Sequence, residues 1–94
     1  MRYAVYILAS KRHGTLYIGV TNDIAKRLDE HERGTGSKFV RDYKLKRLVH
    51  VEMFDEPLDA IAREKQLKKW NRDWKIALIE RENPDWLDLR PDLI

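Results

Sequence analysis

A chain of 94 residues, 43% hydrophobic and 37% charged, has room for one modest core, since a chain this short buries only roughly 60–65% of its unfolded surface. It contains no cysteine, which excludes a disulfide scaffold, a thiolate zinc site and a thiol nucleophile, and fits a reducing compartment. The net charge of +3 is unevenly spread: residues 1–50 carry 11 Lys+Arg against 5 Asp+Glu and residues 51–94 carry 8 against 11, so the first half suits a polyanionic partner, nucleic acid first among them.

Residues 2–9 and 15–20 are rich in Val, Ile, Leu and Tyr and are separated by the polar segment Ser10–Gly14, which predicts an antiparallel hairpin. The apolar run Tyr3–Ala9 is far shorter than the roughly 18 residues of a membrane span. It is followed by Ser10-Lys11-Arg12 and not by a small-residue cleavage site, so a soluble, cytoplasmic protein with no membrane attachment is expected. Thr21 or Asn22 can then cap a helix in which Ile24, Leu28 and His31 recur at helical spacing, with Gly34 to stop it. The basic, glycine-bearing stretch from Gly34 to Lys46 reads as a loop, and residues 47–54 as a third strand. Asp55-Glu56-Pro57 starts a helix reaching about Trp70. Asn71-Arg72-Asp73 can end it and cap another from Trp74 to Glu82, closed by Asn83-Pro84. Residues 84–94 form a tail anchored by Trp86, Leu87 and Leu89. The order ββαβαα predicts one α+β domain over residues 1–94, a small three-stranded antiparallel sheet flanked by helices with the tail packed on it.

Several side chains on these elements carry chemistry. Tyr6 and Tyr17 lie on the two strands of the hairpin, a common cross-strand pairing in its own right. Gly19 weakens a strand interior and marks a bulge or a close approach by another group. Arg27 and His31 are one helical turn apart, beside the Ile24/Leu28 stripe at the edge of the core. Each also has an ordinary role there, Arg27 laying its stem along apolar neighbours and His31 sitting near a helix end. Glu64 is flanked by Ala60, Ile61 and Leu67, and a carboxylate on an apolar arc is uncommon without a partner. Lys68 at i+4 offers it a plain helix pair. Trp70 and Trp74 share a helical face and are expected in the core.

The series Ala4-Val5-Tyr6, Tyr17-Ile18-Gly19, Arg27, His31 and Glu64 resembles the GIY-YIG nuclease family, in particular small proteins similar to the N-terminal nuclease domain of the excision-repair incision enzyme. The likeness runs through His31–Phe39, Arg63–Trp70 and Asn83–Leu89. It implies a metal-dependent endonuclease that hydrolyses nucleic-acid phosphodiesters, DNA before RNA, with a place in DNA repair. Arg27 would grip phosphate oxygens and stabilise charge that grows in the transition state. Glu64 would be the single protein carboxylate on Mg²⁺ or Mn²⁺, the ion acting as a Lewis acid beside the leaving 3′ oxygen.

Either tyrosine can orient or deprotonate the attacking water. Tyr6 is favoured, with Tyr17 bonding phosphate or water, and a tyrosine near both the metal and an arginine can titrate below the usual phenol pKa of about 10. His31 either shuttles a proton or orients its neighbours. The first glycine of the family name is Ala4 here. The family's downstream asparagine has two candidates, Asn71, also a plausible cap, and Asn83, which is preferred for its matching Asn-Pro-Asp-Trp context. Lys38, Arg41, Lys44, Lys46 and Arg47 would contact phosphates without reading sequence. No recognition helix is evident, so specificity would be low or come from a protein partner or a second copy. Two other classes compete: a nucleic-acid-binding module of this fold that does not cut, and a small interaction domain docking through its Trp-containing half.

Overall fold

The computed structural model describes residues 2–93. Three strands, β1 (Tyr3–Ala9), β2 (Leu16–Thr21) and β3 (Arg47–Phe54), form one antiparallel sheet in the order β2-β1-β3. Four helices, α1 (Ile24–Arg33), α2 (Lys38–Tyr43), α3 (Pro57–Lys69) and α4 (Arg72–Glu82), pack around it, and a 3-10 turn, Arg90–Leu93, follows. The expected α+β class is therefore present, with one helix more than the sequence suggests. Among the described residues no helix is long and apolar enough to cross a membrane.

Side chains alternate along β1 and so serve two cores. Val5, Ile7 and Ala9 join Val49, Leu67, Ile79 and Trp86 in one. Tyr6 and Leu8 join Leu28, Val40, Leu45 and Leu48 in the other. The sheet is thus sandwiched between α1/α2 and α3/α4, which explains why six consecutive residues, Ala4 to Ala9, are all buried. The β1–β3 register slips between Ile7, opposite His50, and Leu8, opposite Leu48. The extra residue, Val49, is fully buried like its neighbour Leu48, each in a different core.

The helix ends explain where expectation and structure differ. Asp23, not Thr21 or Asn22, caps α1 through the Lys26 amide, and Thr21 Oγ1 accepts from the Asp23 amide just before it. Gly34, at φ 80°, stops α1 as expected. The expected loop contains α2, whose Ser37 cap accepts from the Val40 amide while Val40 sinks into the core. Lys44 ends it in the left-handed region. A single helical turn and a half leaves too short a period to stand out beside two flanking glycines.

The tail seals the free edge of β3: Leu89 N donates to Leu48 O and Leu48 N to Asp88 Oδ1. Trp86 is fully buried and Leu89 packs against the core, whereas Leu87 is exposed and anchors only through its backbone. Trp74 is also a correction: it is 57% exposed, and only Trp70 packs on the core.

Candidate active site

Tyr6 stands directly opposite Gly19 in the β1–β2 ladder. A Cβ at Gly19 would lie 2.5 Å from Tyr6 Oη, so the missing side chain is the space the phenol occupies. This is the close approach that the strand glycine foretells. Folded over Gly19, the Tyr6 hydroxyl meets His31 of α1, with Oη and Nε2 2.8 Å apart. Tyr17 leans on both, with ring centroids 6.3 Å from Tyr6 and 5.7 Å from His31. His31 is held in turn by Gly36, whose absent Cβ would lie 2.8 Å from Nδ1. Two glycines thus make room for one Tyr–His pair.

Burial governs the protonation of this cluster. Tyr6 is wholly enclosed, and desolvation, followed by the neighbouring Tyr17, pushes its pKa well above the usual phenol value. Arg27 opposes this without overcoming it. With Arg27 as the cation beside it, desolvation of the Tyr6 phenol outweighs that charge. The same burial, assisted by Arg27, lowers the His31 pKa from its ordinary 6.5, so the imidazole is neutral at pH 7. Its Nδ1 is buried and has no hydrogen-bond partner among the described residues.

Arg27 reaches the cluster from α1 and is half-buried, its Nε 3.4 Å from Glu30 Oε1. Glu64 lies on α3, in the other layer. Its side chain is only 16% exposed and pairs with Lys68 at 3.3 Å, the ordinary helix pair open to it from sequence. Lys68 in turn shares a groove with Leu16, Tyr17, Ile18, Phe39 and Lys75. That groove runs along the outer edge of β2, where α2 from one layer and α3 and α4 from the other come together.

The remaining candidates separate. Asn83 is buried, and its side chain is spent on backbone: Nδ2 donates to Val49 O and Leu87 O, and Oδ1 accepts from Leu87 N. It ties the tail to β3, and no hydrogen bond joins it to the tyrosine cluster among the described residues. Asn71 caps α4 through the Trp74 amide. Arg47 donates to Trp86 O and is half-buried. Lys38 is exposed on α2. Arg41, Lys44 and Lys46 line a cleft with Arg33 that reaches His31. Sequence reasoning assigns no role to Gly36, Phe39, Tyr43 or Lys75. For the aromatic pair the signal is present, Ser37 as a cap with two rings four residues apart behind it.

Among the described residues no three His, Cys, Asp or Glu side chains gather as a metal-binding group. A lone half-buried carboxylate suits a hard cation that keeps most of its waters and takes further oxygens from substrate.

The GIY-YIG catalytic domain model matches residues 2–77, the span holding both tyrosines, Arg27, His31 and Glu64. A UPF0213 protein of Syntrophus aciditrophicus is 43% identical over 82 residues, covering 86% of this chain and 92% of its own. One from Staphylococcus saprophyticus is 37% identical over 78 residues, 83% and 94% of the two chains. The solution NMR structure of a UPF0213 protein from Bacillus halodurans superposes with a TM-score of 0.60 at 29% identity, covering 96% of this chain and 95% of that one. The chain belongs to the GIY-YIG catalytic domain family.

Proposed function

We propose that the protein is a divalent-metal-dependent endonuclease acting on nucleic acid, DNA before RNA, with low intrinsic sequence specificity. The observation that carries this is the convergence of Tyr6, Tyr17, Arg27 and His31 in one cluster beside a groove lined by Tyr17 and by Lys68, the ion partner of Glu64. A binding module needs phosphate contacts but has no use for a half-buried carboxylate next to them.

Each side chain has a distinct task. Arg27, half-buried and always charged, grips the phosphate and stabilises the charge that grows on it. Glu64 would hold the cation, leaving Lys68 free for substrate oxygens, and a Mg²⁺ or Mn²⁺ ion held there would supply Lewis-acid stabilisation of the leaving 3′ oxygen. Tyr17, less buried than Tyr6 and open to the groove, orients the attacking water. Tyr6 is favoured for that task by sequence, but its full enclosure and raised proton affinity support a positioning role. It stays protonated and donates to neutral His31, which fixes both rings against Tyr17. Arg33, Arg41, Lys44 and Lys46 carry the flanking phosphates toward His31, and Lys38 adds charge on α2.

Incubation with branched, single-stranded and plasmid DNA, and with RNA, in Mg²⁺ or Mn²⁺ and again in chelator tests this reading. Strand scission that requires the cation is expected. Binding at low salt with no scission of any substrate would instead favour the non-cleaving module.

A further inference from the structure

Two large aromatic side chains face solvent next to this cluster. Phe39 is 42% exposed and Tyr43 56% exposed. They lie one turn apart on α2 with ring centroids 4.6 Å apart. Phe39 also stacks on Tyr17, at 6.2 Å with 30° between the ring planes. Three rings therefore lead outward from Tyr17 as a continuous surface. Core packing does not account for it, because Val40 is the α2 residue buried in the core.

The groove at the foot of these rings states the chemistry of its occupant. Its charged side chains are Lys68 and Lys75, and no carboxylate among the described residues lines it. Lys38, next to Phe39, is exposed as well. An anion with a flat apolar face fits such a surface, since base stacking on aromatics combined with cationic backbone contacts is how single strands are held. A base-paired duplex cannot offer that face, its bases being covered by their own stack.

We propose that Phe39 and Tyr43 form a stacking platform for an unpaired nucleotide, whose phosphates lie on Lys68 and Lys75, so that the protein selects strands with an unpaired base beside the bond to be cut. The proposal rests on the nucleic-acid-cutting reading for its position, while the binding it describes can be measured without cutting. Selection is then by strand structure and not by sequence.

Affinity for a single-stranded and a duplex oligonucleotide is measured in chelator at low salt, with 2-aminopurine in the single strand reporting stacking by its quenching. Phe39→Leu keeps the apolar bulk and removes the ring, and Phe39→Tyr restores a ring. Single-strand affinity should fall about tenfold or more in Phe39→Leu, and further with Tyr43→Leu added. Duplex affinity should change by less than about twofold, quenching should disappear, and Phe39→Tyr should recover both. Unchanged melting temperatures show that the fold is kept. The proposal is overturned if Phe39→Leu weakens both substrates equally or neither, or if the wild-type protein does not bind the single strand. A wild-type protein that never cuts but shows this ring-dependent preference would sink the nuclease reading alone. One that cuts while Phe39→Leu binds normally would sink the platform alone.

Discussion

Gly19 and Tyr6 are cross-strand partners, and the Tyr6 phenol fills the volume that any side chain at position 19 would need. The glycine is there for its missing Cβ, since only Gly34 among the glycines has a positive φ. Gly19→Ala must push the ring aside, away from His31. We expect a stability loss of about 1–3 kcal/mol from overpacking. We also expect a drop of roughly 10²-fold in cutting from the misplaced cluster. Denaturant unfolding and cleavage rates measured on one preparation check both; full activity in the Gly19→Ala variant would refute the close-packing account.

His31 should titrate below its ordinary value, because burial and Arg27 both disfavour the imidazolium. The unfolded chain then binds this proton more readily than the folded one, so stability falls as pH drops from about 6.5 toward the lower folded value. NMR titration of the His31 ring would show the low pKa, and Arg27→Gln should bring it part of the way back up.

A second acid-sensitive element sits on the other face of the sheet. His50 Nε2 donates to Glu52 Oε2 at 2.7 Å, and Arg63 donates to both Glu52 oxygens at 2.8 and 3.1 Å. The His50 hydrogen bond foremost, with Arg63, holds the Glu52 pKa down to about 2 from the usual 4.5. The resulting stabilisation is complete above pH 4.5 and is lost as pH falls toward 2. Glu52→Gln should cost about 2 kcal/mol at pH 7. It should also flatten the stability profile below about pH 4.5 in urea melts taken across pH. A profile identical to wild type would contradict the assignment.

Asn83 separates stability from chemistry. Its three hydrogen bonds tie Leu87 and Val49 together. Asn83→Ala should therefore destabilise by about 1–3 kcal/mol through unpaired buried groups. The specific activity of the folded fraction should stay within about twofold. A drop of roughly 10²-fold at full stability would restore the asparagine to the reaction.

How much of this is legible in the sequence follows from how local each signal is. Strand composition, Pro57 and Gly34 mark elements within a few residues of themselves, and those elements lie where these signals point. The meaning of Gly19 is half local: its oddity in a strand is visible, but that Tyr6 fills the space depends on the cross-strand register. α2 is hidden because six residues hold too little periodicity. The tail misleads because Leu87 resembles an anchor while Trp86 and the Asn83 side chain do that work. The residues of the tyrosine cluster stand out in type and spacing, yet the full burial of Tyr6 is not visible in the sequence. Sequence displays the charge of Arg27, but not the complete enclosure that outweighs it.

The most direct measurement compares wild type with Glu64→Gln for cutting in Mg²⁺ or Mn²⁺ and for binding of the same DNA in chelator. Loss of the carboxylate charge should lower the cutting rate by roughly 10²–10³-fold, while affinity measured in chelator changes by only a few-fold. Equal cutting by the two proteins, or cutting that survives chelation, would contradict Glu64 as the cation-holding group and with it the proposed mechanism.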